Sequence, residues 1–77
     1  MALITDASEA WSDPITLAND ELWQARWGST FISTTGTPAA NDGFALTAGQ
    51  GIVIRAGLQV RYRKEGTTDA LIVREVV

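Results

Sequence analysis

The 77 residues contain neither cysteine nor histidine, and those two absences remove most of the chemistry open to a small chain. Nucleophilic catalysis through Cys–His or Ser–His–Asp sets is excluded, as is a zinc site of the usual kind. Carboxylates remain. Asp20 and Glu21 are adjacent, so within a strand they would point to opposite faces and share neither a proton nor a substrate. Nothing in the sequence supports a glycosidase-like pair drawn from distant strands. Asn41-Asp42-Gly43 has the flavour of a calcium loop without its spaced ligands or closing glutamate, and turn chemistry explains it. Gly49-Gln50-Gly51 is a lone G-x-G with no third glycine and no helix after it, which reads as a turn opening a strand. Arg61-Tyr62-Arg63-Lys64 combines base and ring as a single-stranded nucleic-acid binder would. In a strand, however, Tyr62 faces away from Arg61 and Arg63. No catalytic residue, metal site or cofactor emerges, and the reading is non-enzymatic.

The elements that carry these residues read as strands. Gly51–Val77 predicts three consecutive antiparallel strands joined by tight glycine turns, with the apolar runs GIVI and ALIV flanking the alternating LQVRY. A three-residue loop Arg55-Ala56-Gly57, with Gly57 left-handed, would set Ile54 against Leu58 and Ile52 against Val60. One face then carries Ile52, Ile54, Leu58, Val60 and Tyr62; Gln59, Arg61 and Arg63 turn the other way. Upstream, Pro14 opens PITL as an edge strand, and Ala18-Asn19-Asp20 turns the chain. ELWQARW, residues 21–27, tolerates helix by composition. Its length between turn signals favours a strand with Trp23, Ala25 and Trp27 on one side. TFISTT, residues 30–35, is a strand, 36–43 a loop, 43–46 a short strand and 47–50 a turn. Strands at this spacing predict an all-β fold, a small antiparallel β-sandwich or jelly-roll-like barrel. Residues 1–10 read as an N-terminal arm, mobile or laid along a neighbour, and 11–77 as a single β domain.

A core of this size supplies only about 3–5 kcal/mol by itself, and disulfides and histidine-held metals are missing as supports. Oligomerisation is the remaining device, consistent with 45 % hydrophobic residues and three tryptophans. Net charge is −3, which argues against free nucleic-acid binding. Asp6, Glu9, Asp13, Asp20, Glu21 and Asp42 crowd the first 42 residues, where Arg26 is the only base; Arg55, Arg61, Arg63, Lys64 and Arg74 dominate the rest. That division fits two solvated surfaces, or one subunit's acidic part meeting a neighbour's basic part. Trp23 and Trp27 read as core or the inner wall of a subunit contact. Trp11 is either an anchor inserted into a partner or a cap on its own core. The start, MALITDASEAW, lacks the n- and h-regions of a signal peptide, and no window approaches the roughly 20 apolar residues of a membrane span.

The order of features resembles a family of small virion structural proteins of tailed phages and phage-like gene transfer agents, of the head-decoration or head-spike-base type. ITLANDELWQAR, ISTT-x-TPAANDG and LTAGQGIVIRAGLQVRYRKEG with the IVREV ending carry the resemblance. It implies a β-sandwich or jelly-roll subunit, assembled in a bacterial cytoplasm as a ring or trimer on a capsid, presenting a surface to another virion protein. Leu3, Ile4 and Trp11 would then form a docking or inter-subunit arm, and Arg61 and Arg63 would meet a neighbour's carboxylates. A reading from another class is a carbohydrate- or ligand-binding β-sandwich module, which requires at least two tryptophans on one open face.

Overall fold

The computed structural model describes residues 2–39 and 42–77. Among the described residues it contains eight strands and no helix. These are β1 (Ala2–Ile4), β2 (Ile15–Thr16), β3 (Glu21–Trp27), β4 (Thr30–Ser33), β5 (Phe44–Leu46), β6 (Gly51–Ile54), β7 (Gln59–Lys64) and β8 (Leu71–Val76). They form two four-stranded antiparallel sheets. The first runs β1-β8-β3-β6 and the second β2-β7-β4-β5. The expected all-β sandwich is the fold of this chain. The part of the 36–43 loop formed by Ala40 and Asn41 lies outside the described residues, as does Met1 of the expected arm.

Local chemistry places the strands much as their composition suggests. Pro14 precedes β2, which is an edge strand of its sheet, as a residue without an N–H requires. ELWQARW is a strand throughout, with Glu21, Trp23 and Ala25 buried. In β7, Val60 and Tyr62 are buried while Gln59 is exposed and Arg61 and Arg63 are half-buried, the period-two pattern of a one-sided strand. The core cluster takes Trp23, Ala25, Ile54 and Ile72 from the first sheet and Ile32, Leu46, Val60 and Tyr62 from the second, with Leu17 closing one end.

The expected three-strand meander is corrected. β6 pairs with β3, not with β7, so Ile52 lies opposite Trp23 and Ile54 opposite Glu21. β7 belongs to the second sheet and β8 returns to the first. The turn after β6 is an arch between sheets. Leu58 N–H donates to Arg55 O (3.4 Å), and Gly57 sits at φ +88°, as foreseen. Neighbouring elements hold the arch: Gly57 N–H donates to Leu17 O (2.8 Å), and Ala56 N–H donates to Asp20 Oδ1 (2.8 Å). Hydrophobic alternation reports which face of a strand is buried, and an arch satisfies it as well as a hairpin does.

Two further expectations change. Residues 2–4 are no detached arm, because β1 pairs with β8 of the same chain, Leu3 opposite Val73 and Ile4 opposite Ile72. The chain then crosses to the second sheet and follows β7: Lys64 N–H donates to Ser8 O (2.8 Å) and Ser12 N–H to Tyr62 O (2.9 Å). Trp27 is not in the core. The β3–β8 register shifts between Ala25 and Trp27, a bulge that re-aims the last side chain of the strand, and Trp27 is left 63 % exposed.

Candidate functional site

Polar chemistry is concentrated along one line through the sandwich. Arg74 in β8 lies opposite Trp23 in β3, so the two side chains share the inner face. Its guanidinium donates from Nε to Glu21 Oε1 (2.8 Å) and from Nη2 to Glu21 Oε2 (2.9 Å). It also stands 5.3 Å from the centre of the Trp23 ring. Trp23 Nε1 donates to Glu21 Oε1 at 3.2 Å, and its ring meets Tyr62 of the other sheet at 6.2 Å, tilted by 45°. Tyr62 in turn donates from its hydroxyl to Asp6 Oδ1 (2.6 Å). The bidentate Arg74 bonds hold the Glu21 carboxyl below its ordinary range despite the opposing effect of burial. Burial, reinforced by the Asp6 bond, pushes the Tyr62 phenol up to about 12. Every group in this line has a partner inside the molecule, and its geometry describes a brace between the sheets.

Beyond the second sheet lies an aromatic–cation stack. The Arg63 guanidinium is 4.2 Å from the Phe31 ring centre and 5.3 Å from that of Trp11. Trp11 Nε1 donates to Ala39 O (2.9 Å), and Arg61 Nη1 donates to Ser12 O (3.1 Å). The structure therefore brings three of the expected interface residues together, Trp11, Arg61 and Arg63, but packs them on their own chain. The division of charge is likewise used within one chain, since Glu21–Arg74 and Asp20–Arg55 (3.9 Å) both join the acidic half to the basic half. Asp42 serves turn chemistry: its Oδ2 accepts from Ala39 N–H at 2.8 Å. Among the described residues no group of three or more metal-binding side chains forms. None of the described helices is long and apolar enough to cross a membrane, there being none at all.

The outer face of the first sheet is different. Leu3 and Val73 are paired there, as are Leu22 and Val53, and Leu71 and Trp27. Leu3 is 51 % exposed and Val53 58 %, while Leu22 and Leu71 are half-buried. Val73 is buried yet lies outside the interior cluster. Gln24 and Glu75 are the polar residues among them. An open sheet face normally alternates to polar residues; this one carries an apolar row from β1 to β6, interrupted by Gln24 and Glu75 and flanked at the bulge by exposed Arg26. Of the expected interface residues only Leu3 lies on it. Ile4 faces inward and packs against the core. Leu22 and Val53 are not among the expected interface residues, and Trp27 is expected only as core or the inner wall of a subunit contact. Leu22 was legible as lying opposite Trp23, but the bulge that adds Trp27 to the same face has no sequence signal. The three tryptophans lie apart: Trp23 inside, Trp11 against the second sheet and Trp27 on the first. No open face carries two of them, as a sugar-stacking module requires.

No protein family, curated protein or solved structure matches this chain.

Proposed function

We propose that this chain is a non-enzymatic structural subunit of a phage-like particle, a homo-oligomer that docks on another virion protein through the outer face of its first sheet. The apolar row Leu3, Leu22, Trp27, Val53 and Leu71 on that face carries the reading. The molecule measures 31 × 25 × 17 Å. One broad side thus comes close to the roughly 800 Å² that each partner gives to a standard interface. A contiguous row of exposed apolar side chains on a sheet face marks an interaction site. Buried Glu21 and Arg74 bond to each other, and Asp6 bonds to Tyr62, which favours a role in contact over one in chemistry. Mass spectrometry of purified particles from cells carrying the gene tests the proposal. The chain is expected as a stoichiometric component, and particles that assemble fully without it would refute the reading.

A further inference from the structure

We infer that β6 is a self-pairing edge, through which two copies of the chain join their first sheets across a two-fold axis; the inference deepens the homo-oligomeric reading above and rests on it. β6 is the last strand of its sheet. Natural edge strands are protected by charge, proline, bulges or brevity. β1, β2 and β5 are three residues or shorter. β6 is Gly51-Ile52-Val53-Ile54, four residues with no charge and no proline, in unbroken register with β3.

The hydrogen-bond pattern decides what this edge accepts. Ala25 N–H donates to Gln50 O across the β3–β6 junction (2.9 Å). Bonding alternates along an antiparallel pair, so Ile52 and Ile54 turn their backbone groups toward β3. Gly51 and Val53 turn theirs outward. A second β6 laid antiparallel about a two-fold at Ile52 sets Gly51 opposite Val53 of its copy, and the reverse. Outward donors then meet outward acceptors at both pairs, giving four backbone hydrogen bonds. The backbone register is self-complementary, and the uncharged Gly51-Ile52-Val53 run meets the same uncharged run in its copy, so the partner of this edge is a second copy of the chain. Like charges stay apart: the two Arg55 side chains fall six residues from each other along the joined strands, about 20 Å at the rise of a β-strand.

The side chains agree. A mostly apolar groove of about 290 Å³ runs beside the same edge, lined by Phe44, Ile52, Val53, Ile54 and Leu58 together with Thr34 and Arg55; Phe44, Val53 and Leu58 are substantially exposed. Pairing of β6 closes each groove against its counterpart. It also makes the two outer faces one continuous apolar surface, with Val53 at the seam.

The absence of native cysteine makes the test direct. At the two-fold, Ile52 meets Ile52 of the copy as a non-hydrogen-bonded pair, about 4.5 Å between Cα atoms, within disulfide range. Ile52→Cys is expected to form a covalent dimer under mild oxidation, and Leu3→Cys, on the opposite edge, is not. Val53→Pro removes an outward N–H and leaves the β3 bonds intact. It is expected to halve the sedimenting mass with unchanged circular dichroism. No cross-linking at Ile52→Cys in a variant that retains the wild-type spectrum, or a wild-type mass that is monomeric, trimeric or higher, would overturn the inference. A monomer that is nonetheless abundant in purified particles would overturn it while leaving the structural role standing. A cross-linked dimer absent from particles would do the opposite.

Discussion

Arg74 holds Glu21 by two parallel hydrogen bonds of 2.8 and 2.9 Å at the inner end of the sandwich. Glu21 is only 6 % exposed and the Arg74 side chain 24 %, so neutralising Glu21 leaves a largely buried guanidinium without its carboxylate. Glu21→Gln should cost about 3 kcal/mol in denaturant unfolding. The sign of the pH dependence follows from the depressed carboxyl. The stabilisation is present above the unfolded value of roughly 4.3 and is lost as pH falls through the lower folded value. Acid titration of the unfolding midpoint should show that loss in the wild type and a flatter profile in the variant.

Tyr62 is the only tyrosine, so phenolate absorbance reports it alone. Its ionisation should be centred near 12, against about 10 for a free phenol. Because the folded value is raised, this contribution is complete below pH 10 and disappears as pH rises through the folded value. Asp6→Asn should move the midpoint downward while leaving it above the free value, since burial is the larger cause.

Thr30 is fully buried between Leu46 and Lys64, and its Oγ1 has no hydrogen-bond partner. Thr30→Val replaces that hydroxyl with a methyl of nearly the same size. It should stabilise the fold by about 1 kcal/mol, read as a higher Tm.

Two glycines separate backbone strain from collision. Gly57 has φ +88° with nothing near the position of an added Cβ, whereas at Gly28 (φ +71°) that atom would meet Asp69 O at 2.4 Å. Gly57→Ala should cost about 1 kcal/mol. Gly28→Ala should cost at least twice that, about 2 kcal/mol or more, because the carbonyl it strikes belongs to the backbone before β8.

The strands were largely legible in the sequence because each is bounded by turn formers and alternates cleanly. Pro14, Gly28 and Gly57 punctuate it where the structure turns. Pairing was not legible. Ile52 and Val60 have the same inward periodicity whether they face each other within a sheet or across the sandwich. What distinguishes the cases is a set of long-range bonds, Gly57 to Leu17 and Ala56 to Asp20, which no local pattern encodes. The apolar outer face of the first sheet was half legible. Leu3 stood out as an apolar residue in an acidic stretch, but Trp27 joins it only through a one-residue register shift. Trp11 reads from the sequence as a partner anchor or a cap on its own core, and Arg61 and Arg63 as facing a neighbour; their contacts with Phe31, Ala39 and Ser12 of the same chain are long-range and carry no local signal.

The homo-oligomeric proposal implies that a small core, without disulfides, is completed by contact with further protein. Thermal unfolding followed across a dilution series, with sedimentation at each concentration, tests this most directly. Folding coupled to association makes Tm concentration-dependent. The account predicts an oligomer whose Tm falls on dilution. A monomer with one unchanging Tm from millimolar to nanomolar concentration would contradict it.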